Sequence, residues 1–206
     1  MNFFKQDTTA KVLFVVYIVL FVVCGINPYD RSDWWAENIP IFLLFLAIVI
    51  AYIKGVKFSA LSYCLMSVLL ILHTIGGHYT FERVPFSFVD NLLGFKRNMY
   101  DRLAHFTVGF YAYAICELLQ KYKLVKNKLM MFLFAIFAIG FVAMSYELLE
   151  WIFAVTNGGS AGIAFLGSQG DVWDAQKDML SDALGAIFSG VIYLIQFRNK
   201  KSVNLL

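Results

Sequence analysis

The chain has 206 residues, of which 60% are hydrophobic, 17% aromatic and only 15% charged. Mean hydropathy is +0.69, and the charged fraction falls well below the quarter or so usual for a soluble domain. Those figures exclude a soluble globular protein, and a net charge of +3 gives no footing for nucleic-acid binding. The length fits one integral membrane domain over residues 1–206. Cys24, Cys64 and Cys116 each lie in an apolar run, so they read as small core residues rather than a disulfide framework.

Crossing a hydrocarbon core of about 30 Å takes roughly 20 helical residues. Six apolar segments meet or nearly meet that length, and the expected fold is an all-α bundle of about six transmembrane spans. They lie near 11–27, 38–54, 59–77, 100–119, 129–153 and 178–197. Lys5 and Lys11 before the run from Val12 to Val23 superficially fit a signal peptide. No small-x-small cleavage site follows, and the run is read as an uncleaved first span.

With six spans, Lys5, Lys11, Lys54, Lys57, four lysines in 121–128, Arg198, Lys200 and Lys201 share one side, eleven in all. The other side carries Arg31, Arg83, Lys96, Arg97, Arg102 and Lys177, or six. The excess of cations on cytoplasmic loops predicts that both termini are cytoplasmic. Twelve of the fourteen acids fall on or near the outer side, leaving Asp7 and Glu117 inside.

That topology makes the polar residues converge at one depth, just inside the outer leaflet. His73 lies near the outer end of span three, and His78 follows at its exit. Asp101 and His105 are four apart on span four, Glu147 and Glu150 three apart on span five, so each pair shares a helix face. Asp171, Asp174, Asp178 and Asp182 follow at helical spacing and would stack on one face of span six. Gly185 and Ser189 continue that face, where small residues let helices approach closely.

Asp101, Asp171 and Asp174 have a bland explanation, since carboxylates favour helix N-termini. Asp182, Glu147 and His105 lie deeper, where ionisable groups are costly and mark a site or a paired network. One reading is a divalent metal site, because imidazole plus carboxylate suits Zn, Mn or Fe. The expected ligands are Asp101, His105, Glu147, Asp178, Asp182 and His73, and no recognised signature such as HExxH supports them. A second reading is metal-free acid–base chemistry through His105, Glu147 and Glu150. A third is an ion path, for which Glu117 is the sole inner candidate. Arg83, Arg97 and Arg102 flank span four and suit an anionic lipid or lipid-linked head group; interfacial anchoring or pairing with the nearby acids explains them equally. The stretch from Asn157 to Gly170 has the glycine content of a lid.

The segments HTIGGHYTFERVPF (73–86), YDRLAHFTVGF (100–110), SYELLEW (145–151) and GDVWDAQKDMLSDALGA (170–186) together resemble the YjdF-like family of bacterial inner-membrane proteins. The resemblance covers nearly the whole chain and implies a multi-pass protein of the bacterial inner membrane, without bringing an activity. A weaker likeness is to the VanZ-like membrane proteins, whose pattern is DKxxH, ExxQ and DxxxNxxG. Here Arg102 replaces Lys, Glu150 replaces Gln and Asp182 replaces Asn, which makes the site more acidic and favours a metal.

The expected function is metal-dependent hydrolysis or transfer on a lipid or lipid-linked envelope substrate, with the bilayer itself as partner. The competing expectation is a non-enzymatic protein, either a small transporter or an envelope stress or resistance factor, whose polar cluster is structural or proton-sharing.

Overall fold

The computed structural model describes residues 3–157, 159 and 166–197. The described chain is all-helical: α1 (Phe3–Cys24), α2 (Arg31–Ile53), α3 (Ala60–Tyr79), a 3₁₀ turn (Phe81–Arg83), α4 (Ser87–Leu93), α5 (Tyr100–Val108), α6 (Tyr111–Lys121), α7 (Lys128–Asn157) and α8 (Asp174–Gln196). Of these, α1, α2, α3, α7 and α8 are long and apolar enough to cross a membrane. Their outer faces carry bare aliphatic side chains such as Val15, Val22, Ile53 and Ile195. Lipid is as apolar as these side chains, so they need no cover.

The fourth predicted span departs from the expectation, because residues 100–121 form two short helices broken at Gly109 and Phe110. Turn-type bonds tighten the backbone there, with Phe110 N–H donating to Thr107 at 3.0 Å and Ala112 N–H to Gly109 at 3.0 Å. The cause is a backbone crossing with α8. A Cβ on Gly109 would meet the backbone of Asp182, Gly185 and Ala186, and one on Gly185 would meet the Phe106 carbonyl. Ser189 then donates its hydroxyl to the Gly109 carbonyl at 2.8 Å. The small residues expected on span six therefore pack α8 against the α5–α6 break.

The second helix also begins earlier than expected, at Arg31 rather than near 38. Asp30 caps it by accepting from the backbone of Ser32 and Asp33 at 2.8 and 2.9 Å. The apolar stripe, read forward from Ile41 and Phe45, extends back through Trp34, Glu37 and Asn38, which are all buried. Likewise α8 begins at Asp174, so Asp171 precedes the helix and the row of four aspartates on one helix face is a row of three.

Contacts at the two ends fix how the helices alternate. Lys57 pairs with Asp7 at 2.9 Å, Lys121 donates to the Lys57 carbonyl at 2.9 Å, and Lys128 donates to the Phe197 carbonyl at 3.1 Å. The start of α1, both tight turns and the end of α8 therefore share the lysine end. At the opposite end, Tyr29 N–H donates to the His78 carbonyl at 2.9 Å. Arg198, Lys200 and Lys201, along with half of the expected lid from Asn157 to Gly170, lie outside the described residues.

Candidate functional site

The site is built where α5 crosses α8. Spacing of four puts Asp101 and His105 on one face of α5 and Asp174, Asp178 and Asp182 on one face of α8. The glycine crossing below brings those faces together. His105 Nδ1 lies 3.3 Å from Asp182 Oδ2, and an ionised carboxylate can only accept, so Nδ1 carries the proton. This orients the ring so that Nε2 faces Asp101 Oδ1 (3.7 Å) and Asp178 Oδ1 (3.8 Å). Those separations are too long for hydrogen bonds. They suit two ligands of one ion, each about 2.0–2.2 Å from it. Asp101, His105 and Asp178 offer ligand atoms that all fall within 4.8 Å of one another, and all three residues are largely enclosed.

Two of the three arginines pair with the acids at the start of α8. Arg102 is buried and ion-paired with both Asp174 and Asp178, with Asp171 at 3.7 Å. Arg97 reaches Asp174 at 2.7 Å and the Ser168 carbonyl at 3.2 Å. Both guanidinium groups thus clamp the entry of α8 to α5 and to the loop before α5. Arg83 alone of the three keeps a half-exposed side chain, 4.2 Å over the Tyr29 ring and 3.5 Å from Glu82. The loop is closed further by Asn98 and Gln169, which exchange hydrogen bonds at 3.0 and 3.1 Å.

A second cluster adjoins the first. Glu37 on α2 lies 3.0 Å from His73 Nε2 and accepts from the Tyr146 hydroxyl at 2.9 Å. The Tyr146 ring sits 6.1 Å from the His73 ring and 6.3 Å from the His105 ring, linking the clusters. His73 is therefore placed with Glu37 rather than with Asp101 and Asp178. Glu150 is buried beside Glu37, Glu147 and His105, which all act on it electrostatically. Glu147 is half-buried within electrostatic reach of His105, Asp178, Asp101 and Asp182, and its Oε1 has no hydrogen-bond partner among the described residues.

Charge is out of balance here. Arg97 and Arg102 engage Asp171, Asp174 and Asp178. Glu37, Asp101, Glu147, Glu150 and Asp182 are then left facing two histidines among the described residues. Ionised carboxylates crowded in a low-dielectric site repel, and they either take up protons or recruit a cation. Glu37 and Tyr146 were not among the sequence-derived candidates. The signal for Glu37 was its place three residues after Trp34 and four before Ile41, on the face that continues the apolar stripe.

Below the clusters lies a cavity of about 490 Å³. Its polar wall is confined to one end, with Glu37, His73, Asp101, His105, Glu150 and Asp182. The remainder is apolar and continues past Leu44, Leu69, Ala114 and Ala143 to Ala51, Phe58 and Leu118 near the lysine end. Outside the membrane-spanning segments, Asp171 is held below its ordinary carboxylate range, first by its 2.6 Å hydrogen bond from Lys177.

A helical bundle with apolar outer faces and ionisable groups turned inward defines the class: a multi-pass membrane protein. The chain belongs to the family described as "Predicted membrane protein (DUF2238)", whose pattern matches residues 9–199. It is also 35% identical over 182 residues to inner membrane protein YjdF of Escherichia coli (strain K12), covering 87% of this chain and 85% of that protein. The YjdF-like resemblance and the inner-membrane location are thereby established. No solved structure matches the chain significantly.

Proposed function

We propose that the protein is a metal-dependent hydrolase or transferase that acts on a lipid or lipid-linked substrate at the outer leaflet. The observation that carries this reading is the set Asp101, His105 and Asp178, within 4.8 Å, with His105 oriented by Asp182. A divalent ion there would polarise a phosphoryl or carbonyl oxygen, or lower the pKa of a bound water. Glu147, with its unpartnered Oε1, is placed to take the proton from that water. Alongside, Tyr146 donates to Glu37, which pairs with His73. The excess of lysines at the opposite end supports an outward-facing site.

Metal analysis of the detergent-purified protein by mass spectrometry tests this directly. The expected result is near-stoichiometric Zn, Mn or Fe, lost in His105→Ala and Asp101→Asn at equal folded yield. Absence of metal after reconstitution with each ion would overturn it.

One observation favours a second reading, a structural network in a non-enzymatic protein. Arg102 already contacts Asp178, and a protonated His105 among Asp101, Asp178 and Asp182 would satisfy the same geometry. That reading predicts that His105→Ala loses folded protein rather than metal.

A further inference from the structure

We infer that the cavity is a binding site for one linear hydrocarbon chain of a lipid, with the lipid's polar, hydrogen-bond-donating head at the His/carboxylate end. The inference rests on the proposed reading only for where the head group lies. Cavity shape supplies the rest. Its lining runs along α2 from Glu37 to Ala51, fourteen residues, or about 21 Å at the helical rise. That is roughly two-thirds of a 30 Å hydrocarbon core, so the cavity parallels the chain of a bilayer lipid.

Polarity is graded along this length, because the ionisable walls all lie at one end and Leu44, Leu69, Ala114 and Ala143 line the middle. An occupant of complementary chemistry has one polar end and one long apolar tail. At the polar end, the Asp182 side chain is 1% exposed, lines the cavity and has an Oδ1 without a hydrogen-bond partner among the described residues. A carboxylate oxygen of that kind calls for a hydrogen-bond donor on the occupant's head. The volume of about 490 Å³ falls within the range of pockets that enclose small ligands, and is too slender for the paired tails of a phospholipid over this length. At the far end, Phe58 and Leu118 form a floor next to the Lys57–Asp7 pair. Bulk at that end would make the cavity a ruler for chain length.

The α2 and α7 helices both line the lumen, and the Tyr146 hydroxyl donating to Glu37 bridges them at the head end.

Native mass spectrometry of the full chain in detergent, with saturated lysophosphatidylethanolamines of increasing length, whose ammonium head can donate to the carboxylates, tests the inference. The expected result is one lipid retained per protein, with retention peaking at the chain that fills the lumen and declining for longer ones. Ala51→Phe raises the floor and should shift the peak to shorter chains, with about a tenfold loss for the wild-type optimum, the scale of an overpacking penalty. Ile53→Phe, at a 75% exposed position on the same helix, should leave the profile unchanged. His105→Ala should remove metal while preserving the chain-length profile, so failure of the metal reading and failure of the chain site give different results. Loss of stoichiometric retention in wild type, or a profile unmoved by Ala51→Phe, would overturn the ruler.

Discussion

The two ends of this bundle handle buried carboxylates in opposite ways. At the lysine end, Glu117 accepts from Ser59 N–H at 2.7 Å, from Ser59 Oγ at 2.9 Å and from the Ser62 hydroxyl. It thereby anchors the start of α3, and nearby the tyrosine–glutamine pairs Tyr113–Gln196 and Tyr193–Gln120 satisfy one another. At the other end, Asp182 Oδ1 and Glu147 Oε1 have no such partners among the described residues, and His105 Nε2 faces two further carboxylates. A buried acid with every lone pair engaged is a structural device, whereas buried acids left short of donors are paid for only by a ligand or a proton. The comparison sets acids satisfied by the fold at one end against acids left short of donors at the other.

The strongest way to break that contrast is to remove Arg102. Arg102→Met leaves Asp174 and Asp178 facing each other without their shared cation, and should cost about 3–5 kcal/mol of stability. Thermal unfolding in detergent measures it, and a second change, Asp178→Asn, should return part of the loss. Next in size is Gly185→Ala, whose methyl would collide with the Phe106 carbonyl. An overpacking cost of about 1–3 kcal/mol is expected, read as a lower unfolding temperature and less metal, because α5 and α8 shift together.

Glu117→Gln sharpens the comparison from the opposite end. It weakens hydrogen bonds to a charged acceptor and should cost about 1–2 kcal/mol while leaving metal content and the chain-length profile untouched. An effect of Glu117→Gln on metal would erase the division between the ends. The smallest effect is a pH dependence at the mouth of α8. Asp171 is lowered from its ordinary value of 3.8 by the Lys177 hydrogen bond, so its contribution is present above that value and lost as pH falls through the depressed one. Lys177→Ala should flatten that acid limb slightly in unfolding scans from neutral to acid pH.

The helical class, the inner-membrane setting and most of the long helices were legible in the sequence, because uninterrupted apolar runs have a single explanation at this length. The convergence of Asp101, His105, Asp178 and Asp182 was legible too, since spacing of four and alternating topology together bring them close. Glu37 was not, because a charged residue at the rim of an apolar run reads as the end of a span, and only the helix period through Trp34 and Ile41 says otherwise. The role of Arg102 was hidden for a different reason. A cation one residue after Asp101 points away from the Asp101–His105 face, and which partner meets it depends on how α8 is rotated. The break at Gly109 also escaped, because its cause is a glycine on another helix.

That break bears on how the chain enters the membrane during synthesis. Tyr100–Val108 carries Asp101, Arg102 and His105 within nine residues, and each charged side chain at mid-bilayer costs about 2.5–3.5 kcal/mol on insertion scales. The partners that offset those charges reside on α8, which leaves the ribosome some seventy residues later. The fourth crossing is thus a poor solitary insertion substrate, and its stable seating awaits the last helix. The residues that make the site are the same ones that couple biogenesis of the middle of the protein to completion of its end.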